Sequence, residues 1–328
     1  MKLYITGNGF DLHHGLDTSY ISFGYFLRSH QRDSYDNLVE FLGFSDLPSD
    51  RELLNRKKHA LWCEFESNLA ELNTQEVLDA FTDYLPQLNS PDFRDGEWHS
   101  FDIEMQRVLE NITDALFNQF DSFISQIKFP ELTNDKKLKI SNNALFINFN
   151  YTNTIERYYG IHKNQILYIH GDASIPGDRL IIGHGVVPEN FEEHPEEPPT
   201  DATEEDIEQW EQYMSDKYDY AYESGKQTLN KYFTYSFKNT EEIILKSQDF
   251  FYQLSKINEV IIIGHSLSKI DLPYFEKIKK HVQPDSTWTA TWYLDKEYES
   301  HLAVLKCLGI ENPTIVPIGN LLMRSDLS

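Results

Sequence analysis

The run Glu259-Val-Ile-Ile-Ile-Gly264 constrains this chain most. Four β-branched residues in succession, with no polar alternation, suit a strand covered on both faces, and such strands belong to parallel sheets flanked by helices. Shorter apolar runs that stop at glycine or a polar residue recur at 2–6, 144–149, 166–170, 180–183, 287–294 and 314–316. Between them the period lengthens to that of a helix. Leu109, Ile112, Leu116, Phe120, Phe123 and Ile127 repeat every three or four residues, and helices are also expected at 271–281 and 296–308. Strands separated by helices imply right-handed βαβ crossovers and therefore an α/β fold with a doubly wound, mostly parallel, Rossmann-like sheet.

The order of patterns divides the chain. Residues 1–18 and 140–328 are expected to form the Rossmann-like core, and 19–139 a large helical insertion. An acidic, proline-interrupted excursion at 189–230, carrying Glu192-Glu193-His194-Pro195-Glu196-Glu197-Pro198-Pro199, is expected as a loop leading into a helix within the core. A 40% hydrophobic content supports a packed core. The formal charge of −24, from 53 acids against 29 bases, argues against nonspecific nucleic-acid binding, which needs clustered cations to neutralise phosphates. Cys63 and Cys307 show no CxxC spacing, so neither a zinc ribbon nor a disulfide framework is indicated. With no apolar run of membrane-spanning length and no leader, a cytoplasmic protein is expected.

Four strand-end motifs could carry chemistry. Gly7-Asn8-Gly9-Phe10-Asp11, followed by Gly15, lies at a strand-to-helix turn, where glycines permit either a tight turn or close approach of a pyrophosphate. Leu12 stands where GxGxxG has its third glycine. Asp11 is a candidate helix cap or ligand for a hydroxyl. In Phe146-Ile-Asn148-Phe-Asn150-Tyr151-Thr152-Asn153 two asparagines alternate on one face; Asn150 is placed to hold a ribose hydroxyl or a water, or to form an Asx turn. In Tyr168-Ile-His170-Gly171-Asp172 the histidine is a candidate general base, with Gly171 turning the chain away so that the ring faces a cleft, and His184 nearby in sequence. Gly264-His265-Ser266-Leu267-Ser268, with Asp271 beyond, invites comparison with a nucleophile elbow served by Asp295 and His301. The alternative places Gly264 and Ser266 beside a nucleotide, with Ser266 on a phosphate and Asp271 capping the next helix.

Taken in order, GNGFDLHHGL, NFNYTNTIE, YIHGD and IIIGHSLSKIDLPYF resemble the AbiH family of bacterial abortive-infection proteins across nearly the whole chain. The same residues are similar to sirtuin-like domains, in which a GxG turn, a glycine eight places after its first, an asparagine after a strand and a strand-end His-Gly surround NAD. Gly7, Gly9 and Gly15 keep that spacing, with Asn150 and His170 at the asparagine and histidine. The resemblance implies an anti-phage effector that hydrolyses the nicotinamide glycosidic bond, with NAD as substrate and no further cofactor. It implies Asn150 orienting water or ribose and His170 accepting a proton as the catalytic pair. Gly7, Asn8, Gly9, Phe10, Asp11, Asn148, Tyr151, Gly264, His265, Ser266 and Asp271 would bind the nucleotide. Thr152 replaces the aspartate usual two places after the asparagine, and the deacetylase zinc module is absent, so deacylation is not implied. Competing readings are a nucleotide sensor without turnover, a metal-dependent nuclease toxin, and an esterase using Ser266. A phage-derived trigger or partner protein and homo-oligomerisation remain open.

Overall fold

The structure, a computed structural model, describes residues 1–49, 51, 59–87, 91, 93–193, 197–198 and 200–323. Its centre is a six-stranded sheet of order β3-β2-β1-β4-β5-β6, formed by β1 (Lys2–Thr6), β2 (Ala144–Asn148), β3 (Ile166–Tyr168), β4 (Glu259–Ile263), β5 (Thr287–Trp292) and β6 (Thr314–Pro317). Every pair is parallel. The chain order runs outward from β1 in one direction and then from β4 in the other, so the topological switch lies between these two strands.

Alternation along the buried strands supplies both faces of the sheet. Leu3, Ile5, Leu145, Ile147, Val260 and Ile262 pack beneath Tyr274, Phe275 and Ile278 of the helix Leu272–His281, with Leu305 of the helix Asp295–Cys307. Tyr4, Phe146, Ile261 and Ile263 face the other way, against Phe10 and Ile155. Each such side chain, fully removed from water, contributes about 1.5–3 kcal/mol before the entropy of ordering it is counted. Two covered faces account for the uninterrupted apolar run of β4.

A third core belongs to a helical body. Phe23 and Leu27 of Tyr20–His30, Phe101 and Met105 of Ser100–Glu110, and Leu116 and Phe120 of Leu116–Ser125 are packed with Leu229 and Tyr232 of Tyr220–Tyr235. The long periodic stretch thus forms two helices joined by a π turn at Asn111–Ala115. Of the acidic excursion, it is the helix Tyr220–Tyr235 that packs on this body. Residues 194–196 and 199 of that excursion lie outside the described residues, while Thr203 caps the helix Glu204–Lys217 in a capping box with Asp206.

One expected strand is absent. Residues 180–183 stay outside the ladder, because Leu180 and Ile182 point into the helical core and Gly183 passes so close to the Ser236 carbonyl that a Cβ would stand 2.2 Å from it. This apolar run serves the helical body, not the sheet. Among the described residues no helix is long and apolar enough to cross a membrane.

Candidate functional site

Register brings the motifs together. Thr6 pairs with both Asn148 and Ile263, and Asn148 with Tyr168, so four strands end at one level and their next residues leave from one edge. The helical body covers that edge, with Tyr151 edge-on to Phe120 at a centroid distance of 4.9 Å.

The glycines of the first motif serve backbone contact. Gly9 N–H donates to the Gly264 carbonyl at 2.7 Å, and a Cβ on Gly9 would lie 2.8 Å from Gly264 Cα. A Cβ on Gly7 would lie 2.6 Å from His265 Cα. The turns after β1 and β4 therefore close on each other at the switch point. Gly264 adopts φ +61 to permit this, and Leu267, at φ +54, is held by its N–H donating to His265 Nδ1 at 2.9 Å.

A polar network lies on the β1–β2 side. Asn148 accepts from the Thr6 hydroxyl at 2.7 Å and from Asn150 N–H at 3.2 Å, and donates to the Thr152 carbonyl at 3.0 Å; its amide is committed within the fold. Asn150 donates to the Gly7 carbonyl at 3.0 Å. Asp11 sits inside the helix Asn8–His13, which Gly7 caps, so the expected capping role is not what its carboxylate performs. It accepts from the Thr152 hydroxyl, and its other oxygen is buried without a partner. Burial raises the carboxyl to about 7, against hydrogen bonds from Thr152, Thr154 and Asn150.

A charged cluster forms where side chains of the segments after β3 and β4 meet. Gly171, at φ +93, turns the chain after β3 as expected. His170, however, does not face an open cleft: it is 3% exposed, among Phe149, Tyr151 and Tyr274. We place the ring proton on Nδ1, toward the Phe149 backbone, which leaves Nε2 buried and bare. Nε2 stands 4.0 Å from Asp271 Oδ1. Asp271 occupies the N-cap position of Leu272–His281 but makes no cap bond; the expected capping is replaced by contacts to Ser268 Oγ at 2.9 Å, Lys238 Nζ at 3.4 Å and His265 Nε2 at 3.6 Å. Burial pushes Asp271 up, but Lys238 above all, then the two imidazoles, outweigh it and hold the carboxyl at about 2. Burial and then Lys238 drive His170 well below the ordinary imidazole value, and burial takes His265 to about 4. At neutral pH the site holds an ionised carboxylate beside a neutral imidazole with a free lone pair, and the burial and Lys238 charge that keep the ring neutral also make it a weaker base than an ordinary imidazole.

The comparisons with known proteins can be set beside this geometry. A family model described as bacteriophage abortive infection AbiH matches residues 3–292. The chain belongs to the AbiH family. No curated protein and no solved structure gives a match. In this AbiH chain the matched span runs from β1 through β5 and includes all four strand-end motifs.

Of the AbiH chain's expected site residues, His170, His265, Asp271 and Tyr151 gather in the charged cluster, and Asp11, Asn148 and Asn150 in the neighbouring network. Ser266 is exposed, and no hydrogen bond joins it to Asp295 or His301 among the described residues. His184 is buried apart from the site, among Phe191, Tyr232, Phe233 and Phe237. Sequence reasoning missed Lys238 and Glu66, which are joined at 2.7 Å, and Tyr20, whose hydroxyl donates to Glu66. No motif surrounds them. The only signal was the isolated lysine of Tyr-Ser-Phe-Lys238, with nothing local to mark it as buried.

Proposed function

We propose that this AbiH-family protein hydrolyses the nicotinamide N-glycosidic bond of NAD and that loss of NAD is its anti-phage action. The observation that carries the reading is the bare Nε2 of His170, buried beside ionised Asp271 at the C-terminal edge of the parallel sheet. Glycosidic cleavage develops positive charge on the ribosyl ring. Asp271 supplies the fixed negative charge that favours this state, His170 takes the proton of the attacking water, and Asn150 orients that water or a ribose hydroxyl. Since the Gly9–Gly264 contact fills the β1/β4 crevice, the ribose would lie on the β1–β2–β3 side. His170 and Asn150 are 3% and 4% exposed, so entry of substrate requires the helical body to move off the strand edge.

Nicotinamide release from NAD by the purified protein, with and without phage lysate, tests the reading. His170→Ala is expected to lower the rate about 10²–10⁴-fold while the melting transition persists. Asn150→Ala should also abolish most release. Unchanged release in a folded His170→Ala protein, or no release by the native protein in either condition, overturns the assignment.

A further inference from the structure

Two charged residues outside every strand-end motif meet beside His170. The backbone around Lys238 is fixed by pairing with the segment after β3: His184 N–H donates to the Ser236 carbonyl at 2.9 Å and Lys238 N–H to the His184 carbonyl at 2.8 Å. This aims the lysine inward, where its side chain is 1% exposed. Its ammonium reaches Glu66 Oε2 at 2.7 Å and Asp271 Oδ1 at 3.4 Å. Glu66 comes from the single turn Phe65–Asn68 of the helical body and also accepts from Tyr20 and, at 3.4 Å, from Tyr151.

We infer that Lys238 and Glu66 are positioning residues of the His170 site, Lys238 clamping the Asp271 carboxylate against the imidazole and Glu66 tying that clamp to the helical body. The inference rests on the reading of His170 as the base. A buried ion pair alone is weak evidence for anything beyond packing, since apolar pairs do the same work. This one differs in its surroundings. The charged and titratable groups around His170 are Lys238, Asp271, His265, Tyr151 and Tyr274, and of these only Lys238 is a cation at neutral pH. Lys238 opposes protonation of Nε2 and Asp271 favours it. Glu66 decides how far the ammonium is shared between the two carboxylates. Displacing the helical body would therefore change the proton affinity of the base as well as uncover it.

Imidazole-resolved NMR titration of the full chain tests this without relying on turnover, with the His170 signal assigned by its loss in His170→Gln. Lys238→Met should raise the His170 midpoint by about one pH unit or more, a tenfold gain in proton affinity. The double variant Lys238→Met/Glu66→Gln should do the same and carries the test if the single variant does not fold. Glu66→Gln alone should not raise it, because the freed ammonium then bears wholly on Asp271. An unmoved midpoint in the folded variants lacking Lys238 overturns the inference. So does an equal rise in Glu66→Gln, which is what mere loosening and solvent entry would cause. Where nicotinamide release is measurable, its acid limb should move with the midpoint. Absence of release in the native protein sinks the hydrolase reading and leaves the titration result standing.

Discussion

Asp11 and Asp271 follow β1 and β4, adjacent strands of one sheet; Asp11 is fully buried and Asp271 keeps 13% of its side chain exposed, and one is held at about 7 and the other at about 2. The difference lies in what surrounds each. Asp11 meets hydroxyls and an amide, which stabilise its charge by hydrogen bonds but bring no cation, and burial prevails. Asp271 has an ammonium at 3.4 Å. At an effective dielectric constant near 20, an opposite charge at that distance is worth about 5 kcal/mol, whereas the upward shift of Asp11 corresponds to about 4 kcal/mol. A single buried lysine is therefore enough to reverse the fate of a buried carboxyl. Environments that drive two carboxyls apart in this way are the usual mark of divided acid and base roles.

The comparison breaks most readily at Lys238. Lys238→Met leaves Glu66 and Asp271 without their shared cation, and the expected loss of stability is about 3–5 kcal/mol by urea unfolding at pH 7. A loss below about 1 kcal/mol would mean that water, not the lysine, compensates Asp271.

Asp11 gives the opposite test. Its folded value of about 7 exceeds the ordinary 3.8, so between those pH values the folded chain holds a proton that the unfolded chain has lost. Stability through this group should fall as pH rises from about 4 to 7, by about 1.4 kcal/mol per unit and on the order of 4 kcal/mol in total. Asp271 runs the other way: its stabilisation is present above about pH 4 and is lost as pH falls toward 2. Unfolding free energies of Asp11→Asn and the native protein across pH 4–8 should therefore diverge, with the variant lacking the downward slope. Parallel profiles would show that Asp11 ionises without cost.

The smallest effect is expected where the two regions join. Gly9→Ala drives a methyl group into the Gly264 backbone and should cost about 1–3 kcal/mol, while Gly96→Ala, with nothing within 4 Å of the added carbon, should stay within about 0.5 kcal/mol. Equal thermal shifts in the two variants would mean that the turns after β1 and β4 separate freely.

Much of the frame was legible. The covered run of β4, the strand-end positions of the four motifs and the helical character of the intervening segments follow from periodicity and punctuation, which are local properties. The run at 180–183 misled because a short continuous apolar run fits a helical core as well as a sheet, and the position of Gly183 against Ser236 distinguishes them. Asp271 was read as a cap because it precedes a helix. The side chain turned away because Lys238 offers it a charge, and that lysine is 33 residues distant in sequence.

The sequence by itself determined the parallel α/β frame, the family and the presence of asparagine, histidine and glycine at strand ends, since each depends on residues near one another in the chain. Only the tertiary structure decided which carboxyl is ionised, why the glycines are needed and that the helical body supplies Glu66. Charge state and close approach depend on distances between segments, and folding brings Lys238 to Glu66 across 172 positions with no local pattern to announce the meeting.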